Sequence, residues 1–276
     1  MEAVAWCRER LLVAGNPLTA SLLFAPKSRR DQILSLRCVA SEIAAAASDS
    51  NDAAVAGARL QWWTEALADP DHPHPALRAL VVSGASDCLR PGDFHGLLDG
   101  VAASLQQPRF ERFSQLWDFS CRIGGSVAEL EVKLLGGNDS TREVFRELGG
   151  AQYLIRIVRD LVIDARANRW LVPLDIQADY QVSRQDALSD RASPAMAGLV
   201  RAMLAEAVGR GQRAVARLDR SQRVQQLHLL ALWALDRRLA GQIDRRPGRL
   251  FRERVLPGYW GNIWTAWRAA RHALKA

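Results

Sequence analysis

The amino-acid sequence predicts an all-α fold, and two features of its pattern support this prediction. Apolar residues recur at helical spacing between the breaks in the chain, and no stretch alternates Val or Ile with polar residues as a strand would. Glycine and proline fall at the ends of the apolar tracts. At ordinary helix lengths, the chain would form about eight to ten helices.

A wide apolar stripe lies in the tract 144–164. Its members at helical spacing are Val144, Leu148, Ala151, Leu154, Ile155, Val158, Leu161 and Val162. We expect Asp139 or Ser140 to cap the start of this helix, with Glu143 at the capping-box distance from Ser140.

Short turn-forming breaks separate the helical tracts. They lie at residues 15–17, 69–75, 90–93, 136–139, 168–175 and 246–248. None is long or polar enough to be a linker between domains, and no internal repeat is present. The sequence therefore predicts one helical domain over residues 1–276.

The chain carries a formal charge of +7, and almost all of its basic residues are arginine. Arginine spread over solvated helix faces explains this excess. Affinity for an anion, such as a diphosphate or an acidic membrane surface, explains it as well, because guanidinium binds phosphate oxygens bidentately. Nucleic acid is not a predicted partner, since no concentrated basic patch with a recognisable binding motif is present.

The four cysteines, Cys7, Cys38, Cys88 and Cys121, lie far apart without a C-x-x-C pair. A zinc site or disulfide framework is therefore not predicted, and we expect buried, reduced thiols in a cytoplasmic protein. Residues 1–15 place Glu and Arg among apolar residues, unlike a signal peptide, and no uncharged apolar run is long enough to span a membrane. Motifs of nucleotide-binding proteins and serine hydrolases are also missing from the sequence.

The segment 159–169 carries the pattern that points most directly to chemistry. Asp160 and Asp164 are four residues apart, so a helix would project both carboxylates from one face, where they repel at neutral pH. Mg²⁺ offsets such repulsion, since it binds carboxylate oxygens together with substrate phosphates. The flanking Arg159, Arg166 and Arg169 would contact the same diphosphate. Acidic pairs also occur on solvated helix faces, however, and the three arginines would then simply neutralise this one.

The wider segment 149–173 resembles the second aspartate-rich motif of squalene and phytoene synthases, a helix ending R-D-x-x-x-D-A-x-x-x-R shortly before a proline. The residues that match in register are Arg159, Asp160, Asp164, Ala165, Arg169 and Pro173. Upstream, Pro26 and Arg30 match the family's N-terminal entry segment, and residues 124–127 match a Gly-Ser kink in a later helix. Together the matches cover about residues 18–190 in consistent order.

This resemblance implies an isoprenoid-synthase-type helical barrel around a central cavity, where two aspartate-rich motifs face each other. In such enzymes each motif holds Mg²⁺ on a prenyl diphosphate, and loss of the diphosphate gives the carbocation that joins two prenyl chains head to head. By this resemblance, Asp160 and Asp164 would bind the metal, and Arg30, Arg159 and Arg169 would bind the diphosphate.

The family's first aspartate motif is missing from its expected place just after Arg37. Ser41 and Ala45 occupy the two aspartate positions, and Glu42 points about 100° away round the helix. The second motif departs from the family where the enzymes usually carry Gln, Thr and Asn. The residues at those three positions are Tyr153, Ile155 and Arg156.

The remaining pattern resembles a divergent branch of the same superfamily, which includes an assembly factor of mitochondrial respiratory complex I and bacterial relatives. Residues 36–44 read LRCVASEIA and residues 59–63 read RLQWW, as in that branch. This resemblance implies a retained pocket without established prenyl transfer. Its residues would be Arg37, Glu42, Arg59, Tyr153 and Arg156. A core-facing tryptophan pair beside a surface arginine explains RLQWW equally well.

Near the C-terminus, aromatic residues lie on one side of a predicted helix and basic residues follow. They are Tyr259, Trp260, Ile263, Trp264 and Trp267, then Arg268, Arg271, His272 and Lys275. Tryptophan beside basic residues suits a membrane interface, but we expect this helix to pack its aromatic stripe onto the domain.

Three functions remain open, in this order. The first is a chemically altered relative of squalene/phytoene synthases that binds an isoprenoid diphosphate or another lipid, or serves a protein partner as an assembly factor, without ordinary prenyl transfer. The second is an active Mg²⁺-dependent prenyltransferase of terpenoid biosynthesis. The third is a peripheral membrane protein governed by its C-terminal helix.

Overall fold

The computed structural model describes residues 2–13, 15–48, 52–106, 108–256 and 258–275. Over these ranges the chain forms helices and no strand, as predicted. The α-helices are α1 (Glu2–Leu11), α2 (Pro17–Ser21), α3 (Arg30–Ser48), α4 (Ala53–Ala68), α5 (Pro75–Val82), α6 (His95–Leu105), α7 (Phe113–Ser120), α8 (Ser126–Leu134), α9 (Asp139–Arg166), α10 (Leu174–Tyr180), α11 (Arg184–Ala187), α12 (Pro194–Ala216), α13 (Arg220–Gln225), α14 (Leu227–Arg245) and α15 (Tyr259–Lys275). Short 3₁₀ turns lie between them at Leu22–Phe24, Lys27–Arg29, Ala85–Asp87, Pro91–Phe94 and Pro247–Phe251.

The described ranges contain fifteen α-helices, more than the eight to ten that the sequence predicts, because four of them are only four to seven residues long. The helix α10 begins at Leu174, inside the predicted break 168–175. The four-residue α11 and six-residue α13 are held by capping boxes at Ser183 and Asp219. Such short helices carry too few apolar residues to show a helical period in the sequence.

The central helix is α9, which has 28 residues. All residues of the predicted apolar stripe are buried, as that prediction requires. The side-chain oxygen of Asn138 accepts a hydrogen bond from the backbone N–H of Thr141 at 2.9 Å. Asn138 is therefore the cap, and the prediction of Asp139 or Ser140 is wrong by one or two residues. The helix ends at Arg166, and Asn168 then takes a left-handed conformation with φ of 61°.

Two groups of helices share one core, and α8 joins them. The helix α3 packs against α1, α4, α5, α6 and α8. The helix α9 packs against α7, α8, α12 and α14. Buried apolar residues from both groups belong to one contiguous cluster, which runs from Val4 to Ala273.

Glycines bring the helices around α8 unusually close to α9. A π-helical turn, Cys121–Gly125, connects α7 to α8 and contains the two glycines of the Gly-Ser kink expected at residues 124–127, whose last two residues begin α8. A Cβ atom on Gly124 would overlap the carbonyl oxygen of Gly149 in α9, and a Cβ on Gly149 would overlap that of Gly124. This glycine seam sets how closely α8 approaches α9.

None of the helices in the described ranges combines the length and the apolar character needed to cross a membrane.

Candidate functional site

The predicted aspartate pair lies on the C-terminal half of α9, and arginines bind both carboxylates. Arg254 donates two hydrogen bonds to Asp160, from Nε to Oδ1 and from Nη2 to Oδ2, each of 2.9 Å. The neighbouring Arg159 also binds Asp160 with both arms of its guanidinium group. Arg169 forms an ion pair with Asp164. The arginines therefore neutralise the pair in this structure, which was the simpler of the two sequence interpretations.

The two carboxylates differ in pKa because their surroundings differ. Burial would raise the pKa of Asp160, but the hydrogen bonds and charges of Arg159 and Arg254 outweigh it and hold the pKa below its usual range. Burial raises the pKa of Asp164 above its usual range, and the charge of Asp160 adds to this, against the opposing effect of Arg169. Asp164 is thus the more easily protonated of the two.

Arg254 was not predicted as a site residue, and it lies 94 residues after its partner Asp160. It follows the 3₁₀ turn Pro247–Phe251, and this turn also packs against α9. A third contact nearby is a hydrogen bond from Arg166 Nη2 to the carbonyl oxygen of Phe251, of 3.4 Å. No sequence motif could have identified Arg254, because the contact depends on how α14 returns the chain to the end of α9.

The family resemblance implies that the carboxylates of Asp160 and Asp164 bind a magnesium ion. In the described ranges, no group of three or more His, Cys, Asp or Glu side chains is placed to hold a metal ion. The available donors are Asp160 and Asp164, and each of them already accepts hydrogen bonds from arginine. A cation here would have to displace at least one guanidinium group, and substrate phosphates would have to supply further oxygens, since Mg²⁺ usually binds one or two carboxylates together with phosphates.

A second polar cluster lies inside the core, and it includes two of the predicted pocket residues. Arg37 from α3 forms a bidentate ion pair with Glu131 from α8, whose side chain is fully buried. In the same interior, Gln152 Nε2 donates to Asp236 Oδ2 at 2.8 Å, and Arg156 Nη2 donates to the same oxygen at 3.3 Å. Asp236 also attracts the charge of Arg37, which places both pairs in one network.

This interior network connects the two helices that would carry the family's aspartate motifs. Arg37 on α3 pairs with Glu131 on α8, and Arg156 on α9 pairs with Asp236 on α14. The charge of Asp236 acts on Arg37 and so links the two pairs. The imidazole Nε2 of His228 on α14 lies 3.7 Å from Glu131 Oε2. Buried ion pairs thus join α3 to α8 and α9 to α14.

The pKa of Glu131 reports how strongly the network holds this carboxylate. Burial by itself would raise the value. The charge of Arg37, together with the imidazole of His228, overcomes the burial and lowers the pKa of Glu131 to about 2. The carboxylate is therefore ionised in the folded protein at any ordinary pH.

Of the remaining predicted residues, Arg30 lies apart from both clusters, whereas Tyr153 lies near the aspartate pair. Arg30 donates to the backbone carbonyl oxygens of Ala25 and Leu23, at 3.2 and 2.8 Å, so it fixes the turn before α3. Tyr153 is mostly buried, and burial with the nearby charge of Asp164 raises its pKa to about 12. The charges of Arg169 and Asp160 also act on Tyr153.

Glu42 and Arg59 line a cavity of about 570 Å³ between α3, α4 and the start of α5. Trp62, Trp63 and His74 form its aromatic wall, and Glu42 pairs with Arg10 at 2.7 Å. A second cavity, of about 400 Å³, lies over the π-helical turn. Neither cavity includes the aspartate pair. The predicted pocket residues therefore do not form one pocket: Glu42 and Arg59 line the first cavity, Arg37 and Arg156 belong to the interior network, and Tyr153 is in neither.

The position of the family's first aspartate motif carries no carboxylate that faces the interior. Ser41 is exposed on α3, and Ala45 is half-buried beside the cavity. Glu42 is turned toward Arg10 of α1. The first motif has therefore lost its two aspartates, and the carboxylate that remains on this segment, Glu42, points toward α1.

In sequence, the chain is similar to squalene and phytoene synthases. The family model described as squalene/phytoene synthase matches residues 15–260. Phytoene synthase 3 of Zea mays is 27% identical over 121 residues, which cover 41% of this chain and 28% of the maize protein. The 15-cis-phytoene synthase of Synechococcus elongatus is 29% identical over 122 residues, which cover 39% of each protein. The matched region thus spans well under half of either relative.

Two solved structures resemble the fold over nearly its whole length. A dehydrosqualene synthase in complex with ligand superposes with a TM-score of 0.83 at 14% identity, covering 100% of this chain and 98% of that one. The squalene synthase HpnC from Alicyclobacillus acidocaldarius gives a TM-score of 0.69 at 19% identity, covering 90% and 95%. These likenesses establish an isoprenoid-synthase-type helical fold.

Proposed function

Because this chain belongs to the squalene/phytoene synthase family, we propose that it binds an isoprenoid diphosphate or another lipid without ordinary head-to-head prenyl transfer. The observation that carries this proposal is the arginine cluster at the end of α9. Three guanidinium groups, from Arg159, Arg169 and Arg254, meet two carboxylates there. The cluster therefore keeps an excess of positive charge after both aspartates are paired.

Two of these arginines are accessible to a ligand. The side chains of Arg169 and Arg254 are 47% and 51% exposed, whereas Arg159 is mostly buried. A guanidinium group that faces solvent can exchange a carboxylate for a phosphate oxygen at little cost, because both are bidentate acceptors. Arg169 and Arg254 are thus the residues we assign to an incoming diphosphate, with Arg159 holding Asp160 in place.

Three features argue against ordinary prenyl transfer. The first aspartate motif is replaced by Ser41 and Ala45, the carboxylates of the second are paired with arginine, and buried ion pairs join α3 to α8 and α9 to α14. Prenyl transfer of this kind depends on charge neutralisation of the leaving diphosphate. The exposed arginines at the end of α9 support binding of a diphosphate. The first aspartate motif, which the enzymes also need to ionise the prenyl diphosphate, has no counterpart on α3.

The test is incubation of the full chain with farnesyl or geranylgeranyl diphosphate and Mg²⁺, with pyrophosphate release and thermal melting measured together. We expect no release, and a rise in melting temperature with the diphosphate. Arg254→Gln and Arg169→Gln should each weaken binding roughly 10-fold or more, since a charge-assisted hydrogen bond contributes about 1.5–3 kcal/mol.

Arg217→Gln is the matched control, because Arg217 also forms a half-exposed ion pair, with Glu147 at 2.8 Å. It should leave diphosphate binding unchanged. Steady pyrophosphate release that disappears in Asp160→Asn would replace this proposal with the alternative, an active Mg²⁺-dependent prenyltransferase. Absence of any diphosphate-dependent change in melting would remove both.

A further inference from the structure

The helix α15 packs with its small residues inward and its large aromatic residues outward. Ala266 is fully buried against Ala20 of α2 and Ala231 of α14. Trp260, Trp264 and Trp267 are instead 79%, 57% and 44% exposed. The expectation that the aromatic stripe packs onto the domain is therefore wrong. Small side chains allow α15 to lie close to α14, and this leaves the indoles on the outside.

The exposed tryptophans form one continuous stripe. Their spacing of four and three residues places them on the same face of the helix, and the exposed Leu274 continues that face. Leu256, just before the helix, is 62% exposed. Single exposed apolar side chains are common on protein surfaces, but a contiguous stripe of them is not. The stripe on α15 therefore indicates a binding face.

Positive charge accompanies the stripe. The guanidinium of Arg268 lies 4.5 Å from the ring centre of Trp264, and that of Arg271 lies 4.8 Å from Trp267. From residue 254 to residue 276 the sequence contains no Asp or Glu. Within the described residues, neither Arg268 nor Arg271 has a carboxylate within ion-pair distance, so both remain free to meet an anionic surface.

We propose that this stripe, Trp260, Trp264, Trp267 and Leu274 with Arg268 and Arg271, docks the protein onto the surface of an anionic lipid bilayer. Indole rings are stable at the boundary between headgroups and acyl chains, and arginines beside them reach the lipid phosphates. The helix lies in the interface rather than across it, since none of the described helices is suited to span a membrane. The proposal is independent of diphosphate binding at α9.

Two other occupants fit the stripe less well. A second copy of this chain would bring Arg268 and Arg271 of both copies together without a carboxylate between them, which opposes pairing. Nucleic acid bases would stack on the indoles, but the exposed leucines at both ends offer nothing to a base. Aliphatic, aromatic and basic side chains together match the acyl chains, the interface and the phosphates of a lipid.

The experiment is sedimentation of the full chain with phosphatidylcholine vesicles, with and without phosphatidylglycerol. We expect binding to the anionic vesicles and a blue shift of tryptophan fluorescence. The variant R268Q/R271Q should bind them roughly 30-fold more weakly, because each basic residue near an anionic surface contributes about 1 kcal/mol. The variant W260S/W264S/W267S should lose binding to the anionic vesicles.

The matched control is V81S/V82S, which removes two exposed apolar side chains from α5. It should bind like the original chain. The proposal fails if the original chain does not sediment with anionic vesicles, or if neither stripe variant changes binding. It also fails if a single-stranded oligonucleotide displaces the vesicles, or if the chain forms a dimer that W260S/W264S/W267S abolishes. Should the triple variant unfold, the surface variant R268Q/R271Q decides the outcome by itself.

Discussion

Replacement of Glu131 by glutamine tests the interior network most directly. The change keeps the shape of the side chain but removes the charge opposite Arg37, which is itself largely buried. A pKa of about 2, against an ordinary 4.5, corresponds to about 3 kcal/mol of stability at neutral pH. Because Glu131→Gln also leaves a buried guanidinium unpaired, we expect a loss of about 3–5 kcal/mol in the free energy of unfolding at pH 7.

The pH dependence gives this prediction its sign. The folded-state pKa of Glu131 is lower than the unfolded one, so its contribution is present above pH 4.5 and is lost as the pH falls toward about 2. The difference between the original chain and Glu131→Gln should therefore be constant from pH 7 to pH 5 and shrink below that. Urea unfolding followed by circular dichroism at several pH values measures it.

Two further variants separate the charge effect from general disruption. Removing both charges, as in Arg37→Met with Glu131→Leu, should restore part of the loss, since neither side chain then carries an unpaired charge. Glu147→Gln, at the surface pair with Arg217, should cost less than 1 kcal/mol. The reasoning is refuted if the free energy of unfolding of Glu131→Gln lies within 1 kcal/mol of that of the original chain. It is also refuted if the difference between the two does not change with pH.

Two more predictions concern packing and thiol reactivity. Gly149→Ala should lower the free energy of unfolding by about 1–3 kcal/mol despite the better helix propensity of alanine, because the new methyl group overlaps the backbone of Gly124. Gly57→Ala, where nothing lies within 4 Å, should instead be neutral or stabilising in the same urea titration. Alkylation of the native protein should label Cys88 first, since it is the partly exposed cysteine and burial raises the pKa of Cys121 to about 12. Prompt labelling of Cys121, read by peptide mass spectrometry, would contradict its described burial.

The helical fold was predictable because its signals are local. The apolar stripe of α9 repeats every three to four residues, and every member that the period assigns to the interior is buried. The pattern around Asp160 and Asp164 likewise located both carboxylates on the same helix with their arginines nearby. Residues close in sequence share a helix face, so spacing alone determines their relative placement.

The partners of these residues were not predictable, because they come from distant parts of the chain. Arg254 reaches Asp160, Glu131 reaches Arg37 and Asp236 reaches Arg156 only after the helices have packed. In the sequence, Glu131 and Asp236 look like ordinary polar positions on amphipathic helices, yet both are buried.

The orientation of α15 shows a different limit of sequence reasoning. Alanine and tryptophan both count as apolar, so the helical period of α15 gives two candidate faces for the interior. The larger apolar area of tryptophan then favours the wrong one. The structure buries Ala266, Ala270 and Ala273 instead. Close approach to α14 selects small residues, and hydropathy carries no information on that distance.

The short helix α2 packs against α14 and α15, and this has a consequence for how the protein is made. Ala20 of α2 is buried in a cluster with Ala231 and Leu235 of α14 and Ala266 of α15. Roughly 200 residues separate the two regions. At about 5–20 residues per second, α2 would wait on the order of 10–40 s on the ribosome without its partners. Through that interval the apolar N-terminal segment is exposed to chaperones and proteases, and synthesis of the last two helices ends its exposure.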